Sequence, residues 1–336
     1  MSGETNNSRR VGSSSPFVIA AIALIVFAAA IFYGFYQPYK LEVPLAHESS
    51  AALKSDTIEQ TSLKILIVGD MMLDRNVRNL INKKSFDTFF SGVKELVQSV
   101  DIAVANLEGA FTPFPSITAG LKSKELQFTF DPALAPAVAD LGFDILGLAN
   151  NHSWNFGREG LEMTRRYIGG AGMLYYGDPN NSTELSTIIT KNGITIGFVG
   201  FHEFHYVNFD KVFLEIVRLR PIVDVLIVSP HWGIEYDKKP TPKMIQWAHQ
   251  FIDDGADAVI GAHSHIIGEK EEYKGKMIYY SLGNFAFDQY FSKETMEGLG
   301  VVITVDKNLN ENDLQYQEVL IKVDREGTRV ATSTKP

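Results

Sequence analysis

The chain has 336 residues, 45% hydrophobic and 21% charged, an ordinary globular composition that argues against general disorder and can bury one large core or two modest ones. Its formal net charge is −9 and no long basic run occurs, which argues against a nucleic-acid groove and leaves any anionic ligand to be met by local positive charge. There is no cysteine, so disulfides, thiolate metal ligands and a lipidated cysteine anchor are excluded together.

No charged residue occurs from Val11 to Tyr39. Within that stretch PFVIAAIALIVFAAAIFYGFY is about long enough to cross a bilayer as a helix, predicting one transmembrane helix over residues 16–39. Arg9 and Arg10 precede it and Lys40 and Glu42 follow it, so the positive-inside rule places residues 1–15 in the cytoplasm and everything after the span outside the cell membrane. Tyr33, Tyr36 and Tyr39 would sit at the outer interface. A cleaved signal peptide is the alternative, with an unusually long apolar region for one. Residues 40–61 mix charged, small and polar types without periodicity and read as a tether. The folded domain is expected over 62–336.

LKILIVGD, Leu63 to Asp70, is a buried strand by its β-branched run, and a helix is expected from Asp87 to Val100. DIAVANLEGA is a second buried strand ending near Glu108. Pro113 and Pro115 open a loop, and Pro132 starts a helical stretch through Asp140. A third strand is expected from Phe143 to His152, then a helix from Arg158 to Gly169. Asn192 and Gly193 between two β-rich runs predict a tight hairpin, so the sheet is not purely parallel. Lys211 to Arg220 is helical, DVLIVSPHW is a strand ending at His231, and Thr241 and Pro242 begin a helix through Asp253. A fifth strand ends at His263, a second hairpin turns at Lys274 and Gly275, and Val301 to Val305 and Gln315 to Val323 are late strands. Buried parallel strands alternating with helices, followed by hairpins, make this an α/β domain with mixed pairing.

Five of the strands stop on residues able to bind a metal: Asp70, Glu108, Asn151, His231, and the pair His263 and His265. In α/β folds ligands gather beyond the carboxyl ends of the strands. Both imidazoles of the pair reach one side if the segment stays extended past Gly261. Oxygen and nitrogen donors alone suit zinc, manganese or iron, with magnesium less natural beside three histidines. Six protein ligands exceed the need of one catalytic ion that keeps a water, and two ions sharing a carboxylate use them better. Each residue also has a plainer reading: Asp70 a helix cap, Glu108 an exposed loop acid, Asn151 a turn residue, His231 a hydrogen-bonded imidazole. Arg75 and Arg158 follow motif residues and either clamp a carboxylate or phosphate or are solvated. His202 and His205 would add donors at the rim.

GDMMLDR, NLEGAFTP, LANNHSWNFG, SPHWGIEY, DAVIGAHSH and YSLGNFAFDQ occur in this order. Together they resemble the capsule-synthesis CapA family, also called poly-γ-glutamate synthesis proteins, related to calcineurin-like metallophosphoesterases. The resemblance runs from about Leu63 to Gln289. It implies a metallophosphoesterase-like four-layer sandwich, two mixed β-sheets flanked by helices, and an envelope protein, which agrees with the predicted anchor. It also implies Asp70, Glu108, Asn151, His231, His263 and His265 as ligands of one or two divalent ions. His152 would be the proton donor at the leaving group, and Asn284, in the LGNF motif, would line the site. Two departures stand out. Met72 occupies the position where the phosphoesterases carry a histidine, and its soft thioether suits a hard ion poorly; Glu108 replaces the usual aspartate with a longer arm. The expected function is metal-dependent hydrolysis in capsule or anionic-polymer synthesis, of a phosphoester or of an amide in a γ-linked polymer, beside a membrane-bound polymer synthase. The alternative is a non-catalytic protein that handles the polymer for that synthase.

Overall fold

A computed structural model of the chain describes residues 62–119, 126–204, 208–306 and 314–331. The predicted span and tether lie outside these residues, as does His205; among the described residues no helix is long and apolar enough to cross a membrane.

The first half runs β1 (Ser62–Met71), α1 (Arg75–Lys84), α2 (Phe86–Phe90), α3 (Lys94–Gln98), β2 (Ile102–Leu107), β3 (Ala110–Phe111), β4 (Thr129–Phe130) and α4 (Leu134–Leu141). It continues with β5 (Ile145–Gly147), α5 (Gly157–Gly170), β6 (Leu174–Tyr176), β7 (Ser186–Lys191) and β8 (Ile194–His202). The second half adds α6 (Phe209–Leu219), β9 (Val225–His231), α7 (Pro242–Asp253), β10 (Ala258–Ile260), β11 (Lys270–Tyr273) and β12 (Lys276–Tyr279). Last come β13 (Asn284–Ala286), β14 (Glu297–Asp306), β15 (Gln315–Asp324) and β16 (Gly327–Val330).

One sheet has the order β16-β15-β14-β1-β2-β5-β6, with β13 also pairing β1; the other has the order β11-β12-β10-β9-β8-β7. Both are mixed: β1, β2, β5 and β6 run parallel, as do β8, β9, β10 and β12, while β14, β15 and β7 pair antiparallel. The period-2 alternation of the strands decides the layering. Leu63, Ile65 and Ile67 of β1 join Ile196, Phe198 and Ile227 in a core between the two sheets. Leu66 and Val68, on the other face, pack under Val77, Phe89 and Phe90. On the far sheet Val199, Leu226 and Val259 pack under Ile216, Trp247 and Phe251 of α6 and α7. Helices, sheet, sheet and helices therefore stack in four layers.

Both predicted hairpins form, the first through Asn192 and Gly193 at φ 55° and 71°, the left-handed pair that a type I′ turn requires. Three expectations need correction, and one helix was missed. Asp87 to Val100 is not one helix but α2 and α3, broken at Gly92, whose backbone bridges to Arg329. A Cβ at Gly92 would lie 2.4 Å from the Cβ of Arg329, so this close approach requires glycine. The amphipathic α1, burying Val77 and Ile81, was not foreseen. The third strand stops at Gly147, because Asn150 Oδ1 accepts from the backbone N–H of His152 and of Ser153 and closes a turn. The fifth stops at Ile260, and the chain then turns rather than remaining extended.

The loop after β3 is fastened by Asp74, which is fully buried. Its carboxylate accepts from Arg78 Nε at 2.8 Å, Ser116 Oγ at 2.9 Å, Thr118 Oγ1 at 2.9 Å and the Thr129 N–H at 3.1 Å. Burial opposes ionisation, but hydrogen bonds from Ser116, Arg78 and Thr129 outweigh it and hold the carboxyl below its ordinary 3.8. A depressed carboxyl stabilises the fold above its unfolded value, and that contribution is lost as pH falls through the folded one. Asp74→Ala should therefore cost about 2–3 kcal/mol at neutral pH, read as a lower urea midpoint. The gap from wild type should close as pH drops below about 4; a gap constant into acid would mean that Asp74 acts through packing alone.

Candidate metal centre

The carboxyl ends of β1, β2 and β9 and the turns after β5 and β10 converge on one point. Asp70, at the end of β1, is fully buried. Its Oδ1 accepts from Asn106 Nδ2 at 2.8 Å, and its Oδ2 lies 3.1 Å from His265 Nδ1 and accepts from the His263 N–H at 3.3 Å. Glu108 follows β2; its Oε1 is 3.6 Å from His152 Nε2 and 3.9 Å from His265 Nε2. Single ligand atoms of Asp70, Glu108 and His265 all lie within 4.8 Å of one another. A second group adjoins the first: His231 Nε2 is 2.8 Å from Asn151 Oδ1 and 3.1 Å from His263 Nδ1. All six predicted ligands thus come together, with His152 beside Glu108.

The route to this arrangement differs from strand alternation. His263 and His265 have φ of 101° and 57°, left-handed conformations uncommon for non-glycine residues. Turns therefore present the two imidazoles, and the strand has ended three residues before His263. Gly261 permits the turn's seat: a Cβ there would lie 2.2 Å from the Tyr280 carbonyl oxygen.

Four asparagines aim the donors, and only Asn284 was singled out in the sequence. Asn106 donates to Asp70 Oδ1, faces His231 Nδ1 at 3.2 Å and accepts from Asn150 Nδ2 at 3.0 Å. Its signal was a polar residue interrupting the apolar run of β2. Asn155 Oδ1 accepts from the Phe128 N–H at 2.8 Å and faces His152 Nδ1 at 3.1 Å. Asn284 sits behind the centre: its Oδ1 faces His265 Nδ1 at 3.1 Å, while its Nδ2 donates to the His265 and Thr295 carbonyls. It is 1% exposed, so its side chain is committed to aligning His265.

The electrostatics suit a cation. Burial pushes His263 down to about 3 and His152 down to about 4, and burial with neighbouring His263 holds His231 well below its ordinary value. These three imidazoles are neutral at pH 7 and keep a lone pair to offer. His265 is the exception: burial lowers it, but Glu108 and Asp70 outweigh that and raise it to about 9. Burial holds the Glu108 carboxyl well above its ordinary value, with the charge of His265 opposing. Among the described residues neither Glu108 oxygen has a hydrogen-bond partner. A buried carboxylate without donors is costly, and a divalent ion among these oxygen and nitrogen donors is the partner that fits it.

Met72 adds nothing to that set. It is fully buried in the helix-covered core, and its sulfur accepts from the Asp74 N–H at 3.0 Å. Arg75 lies at the mouth, with Nε 3.2 Å from Asp288 Oδ2 and its guanidinium 5.9 Å over the Phe128 ring; that ring is 4.3 Å from His152. Arg158 is exposed on α5. His202 is buried behind His231 at a ring separation of 6.0 Å, with Nδ1 2.7 Å from the Pro179 carbonyl.

The family model described as Bacterial capsule synthesis protein PGA_cap matches residues 64–289. The capsule biosynthesis protein CapA of Bacillus anthracis is 27% identical over 82% of this chain and 69% of its own. The PGA biosynthesis protein CapA of Bacillus subtilis is 26% identical over 86% and 76%, and a probable polyglutamine synthesis accessory protein of Mycobacterium tuberculosis is 26% identical over 70% of each. Among solved structures, a novel phosphatase from Mycoplasma pneumoniae aligns with a TM-score of 0.51 at 17% identity, over 78% of this chain and 94% of that one. A hypothetical protein from Thermus thermophilus aligns with 0.51 at 15%, over 77% and 99%. These two likenesses establish the fold.

Proposed function

The chain belongs to the bacterial capsule synthesis protein family PGA_cap, and from that membership we propose that it is a membrane-anchored, metal-dependent hydrolase of anionic-polymer synthesis. The observation that carries the proposal is Glu108: a fully buried carboxylate without a hydrogen-bond partner among the described residues, grouped with Asp70 and His265 and next to the adjoining group of Asn151, His231 and His263. These six residues would hold one or two divalent ions, manganese, zinc or iron in preference to magnesium. Bound there, a divalent ion supplies Lewis acidity toward a phosphoryl or carbonyl oxygen and lowers the pKa of a coordinated water.

The chain's own part is proton transfer and orientation. The Phe128 N–H fixes Asn155 Oδ1 as an acceptor, so His152 keeps its proton on Nδ1 and Nε2 is the nitrogen that exchanges one. The negative charge of an arriving substrate raises the affinity of Nε2 for a proton, which it then gives to the leaving group. Arg75, held by Asp288, supplies positive charge at the mouth. The N-terminal apolar span would anchor the chain with this domain outside the cell membrane, next to the synthase that extends the polymer. Phosphoester hydrolysis is the chemistry the fold favours, and cleavage of an amide in a γ-linked glutamate polymer is the second.

Met72 favours one other reading. Its side chain fills a core position and contributes no ligand, as a polymer-handling partner that has given up turnover would tolerate. The test is the full-length chain supplied with manganese or zinc and assayed against bis(p-nitrophenyl) phosphate and against poly-γ-glutamate. Turnover of either, abolished by a chelator, is expected; bound metal with neither substrate cleaved would overturn the hydrolase in favour of the handling role.

A further inference from the structure

Tyr236 follows His231 by five residues and stands at the mouth of the centre. Its φ is 66°, and Arg75, His263 and His265 are likewise in the left-handed region. Such strain persists only where the surroundings impose it, and it gathers at ligand-handling sites. The backbone N–H of Tyr236 donates to the Ser264 carbonyl at 2.8 Å, between the two histidine ligands. The ring is 6.2 Å from the His265 imidazole and 5.3 Å edge-on from Phe291, and the residue is 45% exposed.

Its hydroxyl is aimed from behind. Asn284 Nδ2 shares its two protons among the His265 and Thr295 carbonyls and Gln289 Oε1, the last at 3.2 Å, so it meets Gln289 as a donor. That fixes the Gln289 amide, whose Nε2 donates to Tyr236 Oη at 3.1 Å. One buried chain, His265 to Asn284 to Gln289 to Tyr236, thus aligns a metal-binding imidazole and a surface phenol together. Because Oη accepts from Gln289, its proton is directed outward. Glu235 hydrogen-bonds the hydroxyl and competes for that proton, and the charge of Arg75, tied to Asp288, the neighbour of Gln289, acts on the same phenol.

We propose that Tyr236 is a specificity-determining residue of this site, its hydroxyl, positioned by Gln289, donating to an oxygen of the substrate's anionic group while Arg75 supplies the charge. The assignment rests on the hydrolase reading above and deepens it. Glu235 opposes the same anion and so sets how strongly it is held.

The test uses the full-length chain in detergent, loaded with manganese, with inorganic phosphate titrated by calorimetry and metal content measured beside it. Tyr236→Phe should weaken phosphate about 10–150-fold, the worth of one hydrogen bond to a charged group, while Glu235→Gln should tighten it and metal content stays unchanged in both. Gln289→Met should weaken phosphate in the wild-type background and add little to Tyr236→Phe, since its effect passes through the phenol. Phosphate bound equally well by Tyr236→Phe, or more weakly by Glu235→Gln, would overturn this assignment alone. A wild-type chain that holds manganese yet binds no phosphate would overturn the phosphoester reading with it.

Discussion

Alanine at both Asp70 and His263 is expected to strip the chain of divalent metal, measured by elemental mass spectrometry on the full-length protein beside wild type carrying one or two ions. The loss should exceed by far the about 10–100-fold in affinity that removal of a supporting residue behind the ligands costs. Asp70 joins three segments: it accepts from Asn106 and from the His263 N–H and sits 3.1 Å from His265 Nδ1. His263 supplies Nδ1 to the other group, 3.1 Å from His231 Nε2. The pair of substitutions therefore opens both halves of the centre at once. A wild-type content near two ions would mean that the set suffices without a ligand at Met72, and near one would mean that the missing histidine matters. A double variant that keeps the wild-type content would move the metal to another place in the chain.

His152→Ala carries the second large effect, a fall of about 10²–10⁴ in kcat, the usual worth of a general acid or base, with metal content unchanged. Its position supports this separation: Nε2 is 3.6 Å from Glu108 Oε1, the ring packs 4.3 Å from Phe128, and Nδ1 is held by Asn155. Metal lost together with activity would make His152 a ligand and leave the proton donor unassigned. Activity kept in full would remove His152 from the reaction.

The strand-end residues were legible because each closes an apolar run, and a run that stops on a histidine or carboxylate is visible in one dimension. The supporting residues were less so. Asn106 and Asn155 are single polar residues whose partners Asp70, His231 and Phe128 come from other segments. Gln289 reads as a polar residue at the edge of a motif until Tyr236 and Asn284 are brought to its two ends. Asn284 was legible as a motif position, but its service to His265 in place of a substrate needed the packing around it.

By itself the amino-acid sequence determined the α/β class, both hairpins, the family and the six candidate ligands, because alternation, turn chemistry and strand-end residues are local properties that short-range sterics enforce. Only the tertiary structure decided that those ligands form two adjoining groups, that left-handed turns present His263 and His265, and that Met72 faces the core. It also decided that Tyr236 and Arg75 share the mouth of the centre. The physical reason is distance along the chain: Asp70 and the His263 N–H are 193 residues apart. Their meeting depends on sheet order, on register and on close backbone approaches such as Gly261 against Tyr280, none of which a local pattern encodes.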